Sequence, residues 1–161
     1  MKNWSNRPVE IRNLFNPAFC GLVIYQSMIS FSQVKKSGMP FSVSLLILPL
    51  CLHRDTREVL QEGKRSYFLK IVAENPIVVA GLADRCTNML PFSFEALGLL
   101  AHINVLSVSD EGSLLPGTGV RKSIKGSEEM VACQRVAAFL GKEFGRIGDR
   151  STIYATLGLR P

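Results

Sequence analysis

The feature that most constrains the fold is an almost uncharged run, FSVSLLILPLCL, which extends from Phe41 to Leu52 and meets charged residues without a transition. A membrane-spanning helix needs about 20 apolar residues, so this shorter run, interrupted by Pro49, cannot cross a bilayer. We therefore expect it to pack inside a protein core. Pro49 has no amide hydrogen and disfavours helical geometry at Leu48, which predicts a buried strand or a short helix that ends at the proline.

Length and composition predict one globular domain, residues 1–161, because 47% of the residues are hydrophobic and 20% are charged. The net charge of +6 permits contact with nucleic acid but does not require it. The N-terminal sequence lacks the uninterrupted apolar core of a secretory signal, so we expect a cytoplasmic chain with no membrane association. Its four cysteines are far apart, which predicts reduced thiols in the core.

The order of predicted elements indicates a mainly α domain with a small β-hairpin, of the α+β class. Asn16 followed by Pro17 is a helix start signal. The helix that follows is apolar on most faces, so we expect it to be central. After the apolar run, Asp55 is the predicted cap of a second helix, with Glu58 three residues later completing the capping pattern.

Residues 76–115 are predicted to form a winged-helix-like portion, in the order helix, helix, hairpin. The first helix is expected to end before Pro91, and Ser93 is the predicted cap of the second helix. Gly112 is free to adopt positive φ in the turn of the hairpin. Residues 127–161 are predicted to form a C-terminal helical portion of the same winged-helix-like single domain.

Catalytic, cofactor and metal sites lack a supporting pattern in the sequence. The segment GSLLPGTGVRKS lacks the glycine that a P-loop places directly before its lysine, since Arg121 precedes Lys122. His53 and His102 belong to no metal-ligand spacing, and there is no Gly-x-Ser-x-Gly nucleophile motif. We therefore expect a protein that is not an enzyme, with no cofactor and no metal.

Basic residues in the last third of the chain are candidate contacts to nucleic acid or to an acidic partner. They are Arg121, Lys122, Lys125, Lys142 and Arg146. Lys142 and Arg146 are four residues apart, so they share a helix face that can touch phosphates without reading sequence. A solvated face is the alternative interpretation. The predicted second helix, FEALGLLAHI, carries few side chains that read base edges, which favours a protein partner or a core for that helix.

Four segments carry a resemblance to a known family: NRPVEIRNLFNPAFCGLVI, LILPLCLHRDTRE, LPFSFEALGLL and YATLGLRP. Together they resemble the middle component of bacterial three-component ABC ATPase systems, which include Lamassu-type antiphage defence. The resemblance implies a non-catalytic adaptor subunit in a hetero-oligomer. It would bridge an SMC-like ABC ATPase that senses DNA and an effector such as a nuclease, with DNA contact within the complex. The alternative, which the charge and the hairpin favour, is a stand-alone winged-helix DNA-binding transcriptional regulator.

The charged cluster directly after the apolar run is the candidate partner interface. It consists of His53, Arg54, Asp55 and Arg57. The planar guanidinium group of arginine suits this role because it can hold a carboxylate with two hydrogen bonds. An intrachain network that includes Glu58 is the alternative. On the interface hypothesis, replacing Arg57 by glutamate weakens assembly and leaves the fold intact.

Overall fold

The computed structural model describes residues 6, 8, 9, 12, 15–119, 121 and 123–160, and it confirms a mainly α domain of the α+β class. The helices are α1 (Pro17–Val34), α2 (Phe41–Ser44), α3 (Ile47–Leu52), α4 (Arg54–Glu62), α5 (Phe68–Glu74), α6 (Leu82–His102), α7 (Glu128–Ile147) and α8 (Arg150–Thr156). Two short 3-10 turns lie at Gly63–Arg65 and Pro76–Val78, and the strands are β1 (Met39–Pro40), β2 (Leu106–Val108) and β3 (Ser113–Pro116). Among the described helices, none is long and apolar enough to cross a membrane.

Helix α1 is central, as its apolar sequence predicted. It begins at the predicted signal, where Asn16 Oδ1 accepts a hydrogen bond from Ala18 N at 2.9 Å and Pro17 occupies the first turn. Helices α6 and α7 pack along it, and α3 and the sheet also contact it. Its buried apolar side chains are Cys20, Val23, Ile24, Tyr25, Met28 and Phe31.

A close backbone approach in the core joins α1 to α7. The two helices run in the same direction, with Gly141 against Ser27 and Gly145 against Phe31. A Cβ atom added to Gly141 would lie 2.0 Å from the Ser27 carbonyl oxygen, and one added to Gly145 would lie 3.1 Å from that of Phe31. The contact therefore requires glycine at residue 141, because any side chain there would push the two backbones apart.

Most of the apolar run is buried as predicted, although Phe41 at its start is exposed, and the run forms two short helices, α2 and α3. Pro49 does not end the second helix. It lies in the first turn, where backbone amides make no hydrogen bond within the helix, so the missing amide hydrogen of proline breaks none. The predicted cap at Asp55 is wrong. Helix α4 is capped by His53, whose Nδ1 accepts a hydrogen bond from Thr56 N at 3.4 Å. The residue after the apolar run is thus part of the helix start.

The expected helix break at Pro91 is wrong. Helix α6 runs from Leu82 to His102 through Pro91, and Ser93, the predicted cap, is buried inside it. Proline removes the hydrogen bond to the carbonyl of Thr87, but Thr87 and Pro91 are both exposed, so water can satisfy that carbonyl. The helix pair that supported the winged-helix hypothesis for residues 76–115 is one helix.

The predicted hairpin is present and is part of a larger sheet. Strands β2 and β3 pair antiparallel, with Ser107 opposite Leu115, and Gly112 has a φ of 76° in the turn between them. The added strand is β1, which pairs antiparallel with the other edge of β3, so the strand order is β1-β3-β2. The division of the chain into residues 76–115 and 127–161 stays a prediction.

Substituting the glycine at the α1–α7 contact tests this packing. Gly141→Ala is expected to lower the free energy of unfolding by about 3 kcal/mol or more, because the added Cβ meets a backbone oxygen. For a domain of this size, this corresponds to a melting temperature lower by roughly 6–12 °C, measured by circular dichroism. The control is Gly98→Ala in α6, where the added Cβ meets no atom within 4 Å. It should raise stability by up to about 1 kcal/mol, because alanine favours helix. Equal melting temperatures for the two variants would contradict the packing.

Candidate partner interface

Arg57 is placed inside the protein, where it braces two helices. Its Nη1 donates hydrogen bonds to the carbonyl oxygens of Cys51 (3.0 Å) and Leu52 (3.2 Å), at the end of α3. Its Nη2 pairs with Glu129 Oε1 at 2.5 Å, at the start of α7. Only 6% of the Arg57 side chain is exposed, against 59% for Glu129. Arg57 therefore satisfies carbonyls that end a helix and ties α4 to α7, so it is not available to a partner.

His53 belongs to a second small network, next to Arg57. Its Nδ1 lies 2.9 Å from Thr56 Oγ1, and that oxygen also accepts a hydrogen bond from Arg85 Nη2 at 3.3 Å. Burial lowers the pKa of His53 below its usual value, and the charge of Arg85 lowers it further. The charge of Asp55 raises the pKa of His53, whereas the charge of Arg57 lowers it. His53 is thus a neutral hydrogen-bond acceptor at neutral pH, with its proton on Nε2.

The remaining two residues of the predicted cluster are exposed. Arg54 Nε donates to Glu58 Oε1 at 2.8 Å across one turn of α4, and the two side chains are 78% and 56% exposed. Asp55 lies between them in sequence and is also exposed. The structure therefore contains one part of the intrachain alternative, the Arg54–Glu58 pair, whereas Arg57 pairs with Glu129 instead. Arg54 and Asp55 remain exposed to a partner.

Three shallow grooves meet around this cluster, and we call the area that they form the corner surface. The first lies between α4 and the start of α7, the second between α1 and α7, and the third between α3 and α6. Neighbouring grooves share side chains: Arg57 and Glu129, Phe15 and Leu52, and Arg54. The described residues that line the corner surface are Phe15, Asn16, Phe19, Leu52, His53, Arg54, Arg57, Glu58, Gln61, Arg85, Asn88, Met89, Phe92, Ser127, Glu128, Glu129, Met130, Ala132 and Cys133.

The corner surface combines an apolar floor with a charged rim. Phe15 and Phe92 stack with their ring centroids 4.4 Å apart, and Met89 and Met130 lie on either side of them in the grooves. Aromatic and methionine side chains are enriched in protein interfaces, and methionine adapts its shape to a partner. The rim carries the exposed charges of Arg54, Glu58, Glu128 and Glu129. This arrangement suits a protein partner.

The predicted basic contacts lie on a different part of the molecule. Four of them are described and exposed, whereas Lys122 lies outside the described residues. Two of the four are in the connector between β3 and α7 and two are on α7 itself: Arg121, Lys125, Lys142 and Arg146. The structure therefore does not bring them to the His53 cluster, and the chain presents two chemically different surfaces.

Arg146 is partly used within the chain. Its Nη1 pairs with Glu143, whose side chain is only 5% exposed. The other carboxylate oxygen of Glu143 accepts a hydrogen bond from Phe68 N at 2.9 Å and so caps the start of α5. The charge of a nearly buried carboxylate is thus balanced by Arg146 and by a helix amide.

The cysteine thiols are poor nucleophiles. Burial raises the pKa of Cys20 to about 12 and raises the pKa of Cys51 well above its usual range. Cys133 is also buried, with a raised pKa, and its Sγ lies 3.5 Å from the Cys51 carbonyl oxygen. A thiolate is the reactive form of cysteine, so these three side chains pack as apolar groups at neutral pH. Among the described residues, no group of three or more potential metal ligands comes together.

The sequence reasoning did not identify Glu129 or Arg85, on which the corner depends. Glu129 was visible only as an acidic residue near a helix start, and no local pattern links it to Arg57, 72 residues earlier. Arg85 lies inside the predicted helix and its guanidinium donates to the carbonyl oxygens of Val78 (2.9 Å) and Ala80 (2.8 Å). No local pattern links Phe15, Met89, Phe92 and Met130, which line neighbouring grooves.

One comparison with known proteins gives a match. The family described as ABC-three component (ABC-3C) system Middle Component 3 matches residues 4–161. No curated protein and no solved structure matches the chain.

Truncating the two arginines of α4 separates the internal brace from the surface. Arg57→Ala is expected to lower the free energy of unfolding by about 2–4 kcal/mol, because two carbonyl oxygens and a carboxylate lose their donor. Arg54→Ala should leave the melting temperature unchanged within error, because its ion pair is exposed. The earlier expectation that Arg57→Glu leaves the fold intact is not supported by this geometry. Thermal unfolding of Arg57→Ala, Arg57→Glu and Arg54→Ala measures these effects. An Arg57→Ala protein as stable as the wild type would contradict the bracing role of Arg57.

The lowered pKa of His53 gives a pH dependence of known sign. A histidine whose pKa is lower in the folded state binds fewer protons than it does when unfolded. The contribution of His53 to the free energy of unfolding is therefore complete above about pH 6.5, the usual pKa of histidine, and is lost as the pH falls below that value. Between about pH 7.5 and 5.5, the free energy of unfolding should fall more in the wild-type protein than in His53→Asn. Asparagine keeps a cap acceptor without a titrating ring.

Urea titrations at the two pH values measure the difference, with His102→Asn as control. His102 is exposed at the end of α6, so that variant should keep the wild-type pH dependence. Equal declines in the wild-type and His53→Asn proteins would show that protonation of His53 does not destabilise the fold.

Proposed function

This chain belongs to the Middle Component 3 family of ABC-three component systems, and we propose that it is the adaptor that joins the ABC ATPase of such a system to an effector subunit. A middle component works with other subunits, so the chain has protein partners. The match over residues 4–161 is the observation that carries the proposal. We further propose that the adaptor has no catalytic role, that the ATPase is SMC-like and senses DNA, and that the system provides Lamassu-type antiphage defence.

The corner surface is the proposed docking site for one of the two partners. Exposed charges of both signs surround half-buried aromatic and methionine side chains, which is the usual arrangement of a protein interface. Arg57 and the His53 network hold the backbone under this surface in place. A surface that is already ordered loses less conformational entropy when a partner binds, so this bracing supports docking.

The proposed mechanism is a holding function. The adaptor keeps the effector, for example a nuclease, inactive beside the ATPase until DNA engagement changes the geometry of the complex. A ligand can shift such an equilibrium only by its different affinity for the two states, so the ATPase must bind this subunit differently with and without DNA. Effector activity should therefore rise when the chain is omitted from an assembly without DNA.

The stand-alone regulator has less support. A winged helix places the second helix of a pair in the major groove, but residues 82–102 form one continuous helix here. Membership of a family of middle components also favours a subunit over an independent repressor.

Exchange of an exposed ion pair tests the corner surface directly. The variant Arg54→Glu with Glu58→Arg keeps an ion pair across one turn of α4 but reverses the charges that a partner meets. When the tagged chain is purified from cells that express its native operon, this variant should recover at least about tenfold less partner than the wild type, about 1.4 kcal/mol of binding free energy. Partner recovery is measured by quantitative mass spectrometry.

The matched control exchanges Lys70→Glu with Glu74→Lys on α5, another exposed pair at the same spacing. It should recover as much partner as the wild type. Full recovery by the corner variant would reject the docking site, whereas a wild-type chain recovered without any partner would reject the adaptor itself.

A further inference from the structure

We propose that the outer face of α7, together with the connector before it, contacts the phosphate backbone of duplex DNA. Arg135, Lys142 and Arg146 recur on this face at intervals of seven and four residues and are all exposed. They lie opposite the buried stripe of the helix, which includes Ala137 and Phe144. At a rise of about 1.5 Å per residue, the three side chains span roughly 16 Å, the length of about five base pairs.

The connector adds a fourth basic side chain, and it is held in place by α7. The nearly buried amide of Gln134 accepts a hydrogen bond from Ile124 N at 2.9 Å and donates one to Ile124 O at 3.0 Å. Its Nε2 also donates to Met130 O at 3.0 Å, which orients the amide on the helix. As a result Lys125 and Arg135 line one groove. This double clamp fixes the connector backbone at Ile124 against α7.

The charges of this face are available to a ligand. Within the described part of the chain, Lys125, Arg135 and Lys142 form no ion pair. Glu128 lies on the same side of α7, between Lys125 and Arg135, but it is at the start of the helix and about two turns before Arg135. These three side chains are therefore free to attract a polyanion.

The composition of the face favours phosphates over an acidic protein. The large apolar side chains that are exposed in the described residues all lie outside α7 and the connector: Val9, Val34, Phe41, Tyr67, Leu69, Ile77, Phe94, Ile103 and Val108. Protein interfaces bury apolar side chains at their centre, whereas DNA interfaces are more polar and more positively charged. Arginine and lysine contacts to phosphates carry no sequence information, so the expected binding is independent of sequence.

This inference goes beyond the adaptor role and does not depend on it. The corner surface and the α7 face are separate, so loss of a protein partner and loss of DNA contact can be observed independently. If both hold, the chain contacts the DNA that the complex senses.

The test is the salt dependence of DNA binding by the full chain. Fluorescence anisotropy with a labelled duplex of about 20 base pairs gives the association constant at several salt concentrations between about 50 and 200 mM. The double variant R135Q/K142Q should bind at least about tenfold more weakly at the lowest salt, and the slope of log K against log salt should be about 2 smaller in magnitude than for the wild type. A duplex of scrambled sequence should give the same values.

The matched control is K64Q/R65Q, which removes two exposed basic side chains from the 3-10 turn at Gly63–Arg65 and so makes the same change in net charge. It should keep the wild-type slope. The proposal would be overturned by an equal loss of DNA affinity in the control, by an unchanged slope in R135Q/K142Q, or by a wild-type chain that does not bind duplex DNA. Loss of a co-purified protein by R135Q/K142Q with unchanged DNA binding would identify the face as a site for an acidic protein instead.

Discussion

The contact between α1 and α7 is the constraint on which the rest of the structure depends. The Ser27 carbonyl oxygen lies only 2.0 Å from the position that a Cβ of residue 141 would occupy, so the two backbones are in direct contact there. This contact sets the position of α7 in two respects. It directs the start of the helix towards α4, where Glu129 meets Arg57, and it turns Arg135 and Lys142 to the outside. The corner surface and the basic face are therefore both placed by the same packing of glycine against backbone.

Arg57 has the second determining role, and it shows why a charged cluster in a sequence is ambiguous. Arg54, Asp55 and Arg57 look equivalent in the sequence, but α4 turns only one of the two arginines inward. Once inside, Arg57 is held by the carbonyl oxygens of Cys51 and Leu52, which the end of α3 leaves without helical partners. The buried arginine stiffens the surface that its exposed neighbours present, so its structural role supports the docking role that we propose for that surface.

Signals that depend on a few adjacent residues were predictive in part. The Asn16–Pro17 start, the central position of α1 and the hairpin around Gly112 were correctly expected, because caps, turns and helical periodicity are local. The caps predicted at Asp55 and Ser93 were wrong. The continuous α6 could not be predicted, because tolerance of Pro91 depends on which side of the helix meets water. Strand β1 has only two residues and forms only because β3 presents a free edge. For the same reason the sequence groups only His53, Arg54, Asp55 and Arg57, whereas Glu129 and Arg85 reach the corner surface from distant segments.

One mixed apolar and charged surface and one basic surface fit the adaptor role that we propose for the chain. The family assignment gives it partner subunits, and the two surfaces suggest how protein and DNA contacts can be divided between them. The most direct test of the adaptor role is native mass spectrometry of the assembly from the intact operon and from the same operon without this gene. The account predicts that the ATPase and the effector are found in one complex only when this chain is present. A complex of ATPase and effector with undiminished abundance in its absence would contradict the claim that the chain joins them.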